Sequence, residues 1–599
     1  MRTEGGDALV DRILRASFAR PGLTVVLALA LSAFGAVALQ GLRRDVFPDL
    51  SAPIFNVIVQ NAAMGAEELE TAVAIPMEVA LAGLPDVRRI RSTSQLGVTQ
   101  VTVEFEPEAD SFRSRQYVTE RVAQAQAELP PGTDAPLVSS LTGRLNEVFE
   151  FTLEAEPGTA DLMTLRDLAE FEVKNRLLAV PGVAGVERLG GYLRQFQVQM
   201  DPDQMVARGI SLDAVEHALE GANLNASGGF VVQGPLEWTV RAVGRAQTVE
   251  DLSGTVVALR EGTPVLLGDV ADIREAPAVR RGIAHRLKGE VVSCRVIKQF
   301  GADTERVSAG VRAALTELGK ALPPGVQLRI VYDQSELVDS ALGGVSRAIL
   351  LGALLVVLVL FGLLGDWRAA LIVTLTLPLS LALAGVLLKV AGIGINTMTL
   401  GGLAIAVGLL VDAAIIVTEN IVHDLREGAG RRPRREEALA ASLEVGRSIA
   451  FATLIVVSVF IPLFAMTGIE GRMYQPLAAA VVACLAASLA LALTLVPVAS
   501  GLLLRAPRRG QPEDVWLVRK VKAVYAPLLE RCMRRAGLVR LVALAVTVPA
   551  LGLAFAVGSD FMPRLDEGAL LLQTVLPPEA SLEEVDRLNH LVEDVLLEF

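Results

Sequence analysis

The chain has 599 residues, 52% of them hydrophobic, and a formal net charge of −12 that by itself would suit an acidic soluble protein. The apolar residues are gathered into long runs, which excludes an ordinary soluble fold and places the chain among polytopic α-helical membrane proteins. There is no C-x-x-C, no H-x-H and no His-rich tract, so no metal site is announced by local spacing.

A bilayer core about 30 Å thick takes roughly 20 apolar residues per helix. The first such run, Leu23 to Leu42, follows Arg12, Arg15 and Arg20. It is longer than a signal-peptide core, and Gly-Leu-Arg-Arg follows it in place of a small-residue cleavage site, so it reads as a retained anchor. Next come a strand at Ile54 to Gln60, a helix at Ala66 to Ala82, a strand at Val98 to Phe105 and a helix at Ser111 to Glu128. The pattern resumes with Glu147 to Leu153, Asp161 to Leu178 and Gln195 to Met200. Repeated β-α-β units of this size predict small α/β sandwiches of the split βαβ type. Asn223 to Val243 reads as an exposed hairpin. Helix Asp303 to Leu322 and strand Val326 to Tyr332 lead to six further apolar runs: Ala348 to Leu364, Ala369 to Val390, Met398 to Val422, Ile449 to Met466, Leu477 to Leu504 and Leu538 to Val557.

Basic residues flank particular span ends: the three arginines before the first, Arg431, Arg432, Arg434 and Arg435 after the fourth, and Arg505, Arg508, Arg509, Arg519, Lys520 and Lys522 after the sixth. The positive-inside rule then puts the N-terminus in the cytoplasm and the long segment after span one outside. The predicted division is a cytoplasmic N-terminus over 1–22, a first span over 23–42, and an external α/β domain over 43–347. Five spans follow over 348–504, then a cytoplasmic amphipathic linker over 505–537, a seventh span over 538–557 and the start of a second external domain over 558–599. Cys294, Cys484 and Cys532 fall outside, within and inside the membrane, so no intrachain disulfide is expected.

An internal repeat supports this division. Asp45-Val-Phe-Pro48-Asp-Leu50, an apolar strand and Gly65-Ala-Glu-Glu-Leu69 follow the first span. Asp560-Phe-Met-Pro563-Arg-Leu565, an apolar strand from Ala569 and Ser581-Leu-Glu-Glu-Val585 follow the seventh. A six-span half followed by its own restart is the plan of parallel-repeat transporters, which predicts a fragment of a molecule several hundred residues longer.

Asp412 carries the strongest chemical signal. An ionised Asp at the centre of a membrane helix costs roughly 2.5–3.5 kcal/mol on insertion scales, a penalty that function or a partner must offset. Apolar surroundings favour a neutral carboxyl and a facing cation a charged one, so a small rearrangement can load or empty such a group. Glu419 lies two turns on, about 10.5 Å along the same face; it reads either as an extension of a proton path or as a helix-end carboxylate. Asn420 reads as a helix anchor. Gly401, Gly402 and Gly408 read as packing devices, Pro378, Pro462 and Pro497 as kinks, and Arg508 to Arg535 as an interfacial amphipathic helix.

These residues resemble a family. Gly-Leu-Leu-Val-Asp412-Ala-Ala-Ile-Ile-Val-Thr-Glu-Asn, with Arg-Asp-Val-Phe-Pro48-Asp-Leu, resembles the resistance-nodulation-division efflux permeases. Gln95-Leu-Gly-Val-Thr-Gln-Val-Thr-Val-Glu-Phe, Gly190-Gly-Tyr-Leu-Arg-Gln-Phe-Gln-Val and Gly468-Ile-Glu-Gly-Arg-Met-Tyr-Gln-Pro-Leu-Ala are most similar to its heavy-metal branch. The resemblance implies a homotrimer in the bacterial inner membrane, a periplasmic porter and docking domain, and a tripartite assembly with a periplasmic adaptor and an outer-membrane channel. It makes the hairpin at Asn223 to Val243 a docking loop, and Asp412 and Glu419 the proton relay.

Two departures from the family pattern stand out. An additional Asp of some metal exporters is Ala406 here. The strand position of a methionine ligand in copper and silver exporters falls on Gln573, which argues against a thioether site and makes Gln573 the candidate substrate or metal contact. Met64, Met77 and Met473 read as packing residues. The remaining ligands and the cation facing Asp412 are expected beyond Phe599.

The function implied is proton-coupled antiport of heavy-metal cations. Each inward proton supplies roughly 2.3 kcal/mol per 100 mV; no GxxxxGK[ST] is present, and no cofactor is expected. One alternative is multidrug efflux, against which an aromatic content of 5% argues. A second is a non-transporting, receptor-like member of the family. A hydrolytic enzyme is disfavoured, because no nucleophile stands at motif spacing from a base.

Overall fold

The computed structural model describes residues 4–48, 52–139, 146–260, 262–280, 282–287, 289–364, 366–427, 433–504, 516–555, 572–577 and 580–598. Seven described helices are long and apolar enough to cross a membrane: Pro21–Gln40, Gln334–Leu364, Trp367–Val390, Thr397–Leu425, Arg434–Phe464, Gly468–Leu503 and Ala536–Ala554, numbered here spans 1 to 7. They coincide with the seven predicted runs. Spans 2 and 5 begin well before their apolar windows, because polar helix formers, such as Glu436 and Glu437 in span 5, continue the helix beyond the part that hydropathy detects.

Two spans are interrupted. Span 4 consists of Thr397–Leu409 and Asp412–Glu427, and span 6 of Gly468–Leu493 and Leu495–Leu503. The break at Thr494 has a local cause: Pro497 lacks an N–H, and its ring crowds the carbonyl four residues back. Pro378 lies inside a continuous helix, and Pro462 lies at the end of one.

The chain divides into two compact units. The first comprises Met1–Val148, Lys298–Ala309 and Asp333–Leu572. Its membrane core is built from spans 3, 4 and 6 around small residues such as Ala384, Ala406, Ala414, Ala480 and Ala487, which let backbones approach closely. A Cβ at Gly35 of span 1 would collide with the Ala382 carbonyl, and one at Gly385 with Leu39, so spans 1 and 3 meet backbone to backbone.

The same unit holds a four-stranded sheet in the order Val87–Gln95, Val98–Phe105, Ile54–Gln60, Leu137–Val138. Alternate residues Phe55, Val57 and Val59 are buried with Val101, Val103 and Phe105 against Leu69, Val73, Met77 and Val118; this is the period-2 pattern of a half-buried strand. Phe55 meets Phe105 edge to face at 5.8 Å. The helix predicted over Ala66 to Ala82 forms, with a π segment at Glu70–Ala74. Val87–Gln95 is a strand that the sequence reading omits. It is an edge strand rich in arginine, whose Arg88 and Arg89 pair with Glu104 across the ladder, and a charged edge carries little apolar signal.

The second unit comprises Phe149–Ile297, Gly310–Tyr332 and Gln573–Phe599. Strands Ala284–Arg286, Gly289–Lys298, Glu147–Ala155 and Val326–Asp333 form its main sheet, joined by Val183–Leu189. Its helix over Leu162–Leu178 also contains a π segment, Leu168–Val173. The predicted hairpin is present as Ala226–Gln233 paired with Leu236–Ala242, turning at Gly234 with φ +62°. Every residue of its second strand is exposed.

At the C-terminal end, helix Leu582–Leu596 starts at Ser581, whose hydroxyl accepts the Glu584 N–H, as the repeat predicts. The strand expected from Ala569 is not seen in the described part, Leu572 to Pro577, which has no regular structure. Asp560 to Leu565, Ala569, Arg431, Arg432, Arg505, Arg508 and Arg509 lie outside the described residues.

Candidate functional site

Span 4 stops at Leu409 and restarts at Asp412, so the carboxylate is not in mid-helix as the sequence suggests but in the first turn of a new helix. A helix N-terminus carries partial positive charge and favours an anion there. The break frees the Leu410 carbonyl, which accepts a hydrogen bond at 2.5 Å from the buried Ser488 hydroxyl of span 6. Below the break the Leu410 N–H donates to Ala406, and above it the Ile415 N–H donates to Val411. Ser488 is thus part of the site, although a lone serine in an alanine-rich span gives no signal in the sequence.

Asp412 is exposed within its unit, not buried. Ile405, Gly408, Asp412, Ile416, Glu419 and His423 are all exposed, at the three- and four-residue spacing of one helical face. Ala406, Val407, Leu410, Ala414, Val417 and Ile421 form the opposite, buried face. Three titratable groups therefore share one stripe. Asp412 and Glu419 were expected there; His423, one turn beyond Glu419, was not singled out, although the same spacing identifies it. The stripe therefore sets titratable groups at intervals along the helix, Asp412 and Glu419 about 10.5 Å apart.

Asn420 lies off the stripe and donates to the Ala441 carbonyl of span 5 at 3.0 Å, the anchoring role expected of it. Of the three glycines only Gly402 packs tightly: a Cβ there would meet the Leu477 carbonyl at 2.5 Å, whereas Gly401 and Gly408 have nothing within 4 Å. Met77 and Met473 are buried packing residues, and Met64 packs partly buried against the first sheet. Gln573 is exposed in an irregular segment of the second unit. Cys294 is buried, and burial pushes its thiol up to about 12, which keeps it protonated and unreactive as a nucleophile near neutral pH.

The D-x-x-P turn has a structural task. Lys298 is buried and donates to Asp45 Oδ1 at 2.8 Å and to the Thr304 hydroxyl at 2.6 Å. The Asp45 N–H donates to Ile395, and the Val46 carbonyl accepts from both the N–H and the hydroxyl of Thr397. Arg43, Asp45, Lys298 and Asn396 line a cavity of about 370 Å³ at this junction. The first half of the repeat motif thus fastens the end of span 1 to the loop that precedes span 4.

The profile of the AcrB/AcrD/AcrF family matches residues 13–599. Protein HelA of Legionella pneumophila is 34% identical over 603 residues, covering 99% of this chain and 57% of that protein. The nickel-cobalt-cadmium resistance protein NccA of Alcaligenes xylosoxydans xylosoxydans is 34% identical, covering 96% and 57%. The cation efflux system protein CusA of Escherichia coli (strain K12) is 34% identical, covering 97% and 56%. A crystal structure of a heavy metal efflux pump superposes with a TM-score of 0.82 at 30% identity, over 98% of this chain and 56% of that one. The chain spans a little over half the length of the relatives it matches. With the seven spans, the α/β units and the acidic stripe of span 4 in place, the chain belongs to the AcrB/AcrD/AcrF family, the resistance-nodulation-division permeases.

Proposed function

We propose that this chain belongs to a proton-coupled exporter of heavy-metal cations, working in the bacterial inner membrane as a homotrimer with a periplasmic adaptor and an outer-membrane channel. The observation that carries this reading is the row of Asp412, Glu419 and His423 on one face of span 4, opening at a helix restart. The resistance and efflux names of the similar proteins support the metal class.

In this mechanism Asp412 takes a proton from the periplasmic side and loses its charge. The helix restart lets the outer segment of span 4 shift against Ser488, and the α/β domain follows through the Asp45 junction. Glu419 carries the proton toward the cytoplasm. Gln573, in place of a thioether, turns selection away from Cu(I) and Ag(I). The seven-span topology, with its N-terminus in the cytoplasm and residues 43–347 in the periplasm, belongs to the same proposal.

The test is growth of an efflux-deficient host on Zn(II), Co(II), Ni(II), Cu(I), Ag(I) and a dye panel, with the full gene beside its Asp412→Asn variant at equal membrane abundance. Metal protection that the variant loses is the expected result. Protection against dyes alone would overturn the metal class, and full protection by the variant would remove Asp412 from the coupling path.

A further inference from the structure

The chain has four histidines in 599 residues. Two of them, distant in sequence, meet in the second unit: His285 on the hairpin Ala284–Arg286/Gly289–Lys298, and His590 on helix Leu582–Leu596. Their rings lie 4.5 Å apart between centroids. Asp586 stands between them, one turn before His590 on the same helix face. Its Oδ1 is 3.2 Å from His285 Nδ1, and its Oδ2 is 4.0 Å from His590 Nε2. One ligand atom from each of the three residues lies within 4.8 Å of the other two.

The geometry points to a divalent-cation site formed by His285, Asp586 and His590. Four observations carry it. First, Asp586 Oδ1 is a buried carboxylate oxygen with no hydrogen-bond partner, although an imidazole nitrogen lies 3.2 Å away, and a buried acceptor left in that state is costly unless something binds it. Second, His590 turns Nε2 toward Asp586, 4.0 Å from its Oδ2, while Glu593 stands 3.6 Å from Nδ1 on the other side of the ring, where its charge favours a proton on Nδ1 and Nε2 as the ligating nitrogen. Third, the hairpin register holds His285 opposite Glu290, which is paired with Arg280, so that carboxylate is engaged elsewhere. Fourth, the three side chains are half-buried rather than sealed, which leaves a path for an ion.

Two imidazoles and one carboxylate are a borderline donor set. They suit Zn(II), Co(II) or Ni(II) and include no thiolate or thioether of the kind that selects soft Cu(I) or Ag(I). Three protein ligands leave a coordination position for water, the arrangement of an exchangeable site rather than a sealed structural one. Ligand bonds near 2.1 Å require the three groups to draw together by about 1 Å, which rotation of the His590 and Asp586 side chains can supply. The inference rests on the export reading in naming the cargo class, but the binding it asserts stands independently of Asp412.

The test is zinc binding to the purified chain in detergent, by calorimetry and by competition with a chromophoric chelator, with no ion gradient present. The expected result is a Zn(II) site whose affinity falls at least 100-fold in His285→Ala, in His590→Ala and in Asp586→Asn. His590→Cys, which keeps a ligand, should retain binding, and Co(II) loaded into the wild type should give a visible ligand-field spectrum that changes in that variant. Wild-type affinity in all three ligand deletions overturns the site, as does a Cu(I) preference over Zn(II). Loss of Zn(II) binding with an unchanged apo melting profile supports it. Because no proton gradient enters the assay, intact binding beside failed resistance would count against the export reading alone.

Discussion

At the scale of single residues the most consequential contact outside span 4 is that between Lys298 and Asp45. A buried ammonium that loses its partner keeps its desolvation cost, so Asp45→Asn should destabilise the chain by about 2 kcal/mol. Adding Lys298→Met should recover part of the loss, because the orphaned charge is removed with it. Unfolding of the purified variants in detergent measures both, and equal stability of the single variant and the wild type would show that the junction does not depend on the pair. Ser488 illustrates a different residue-scale rule: the cost of breaking span 4 at Asp412 is reduced because one hydroxyl satisfies the carbonyl that the break exposes.

At the scale of elements, span 4 and span 6 meet at Gly402, where any side chain must displace the Leu477 carbonyl. Gly402→Val should therefore cost about 1–3 kcal/mol by overpacking, whereas Gly401→Ala, which meets nothing, should be neutral or slightly stabilising. Thermal unfolding of the two variants side by side distinguishes the close-contact role from a general effect of losing a glycine.

The N-terminal helix Glu4–Ala19 gives a pH-dependent case. Asp11 is hydrogen-bonded to Arg447 of span 5 at 2.7 Å, and that bond holds its carboxyl below the usual carboxylate value of 3.8. A depressed folded-state value means that the contribution is fully present above about pH 4 and is lost as pH falls through the folded value. The pair is partly exposed, so the helix should loosen by only about 0.5 kcal/mol in acid. Hydrogen exchange of residues 9–19 at pH 7 and pH 3, in wild type and in Asp11→Asn, should show a pH effect confined to the wild type.

For the molecule as a whole, the hairpin Ala226–Ala242 is an element that its own unit leaves uncovered. Phe230 is 67% exposed and Trp238 57% exposed, with Val231, Val232, Leu236 and Val240 also open to solvent. An apolar hairpin in that state marks an interaction surface. Replacing residues 226–242 with a short Gly-Ser turn should leave the melting profile of the purified chain unchanged while abolishing cross-linked trimers in membranes. Trimers that persist without the hairpin would remove it from assembly.

The seven spans, the hairpin and the strands and helices announced between Ile54 and Met200 and between Asp303 and Tyr332 were determined by the sequence itself, because hydropathy runs and alternating apolar residues are local properties that the backbone must obey; Val183–Leu189 and the strands between Val256 and Lys298 were not announced. The shared face of Asp412 and Glu419 on span 4 was legible for the same reason: a carboxylate in an apolar run costs too much to pass unnoticed, and helical spacing puts the second two turns beyond the first. What the linear pattern could not contain was decided by packing. The arginine-rich edge strand Val87–Gln95 exists because a neighbouring strand offers it hydrogen bonds. The restart of span 4 at Asp412 depends on a serine in span 6. His285 and His590, far apart along the chain, become neighbours because a hairpin and a helix dock in one unit, and no spacing rule reaches across such a distance; only the Asp586 and His590 pair, one helical turn apart, left a trace in the sequence.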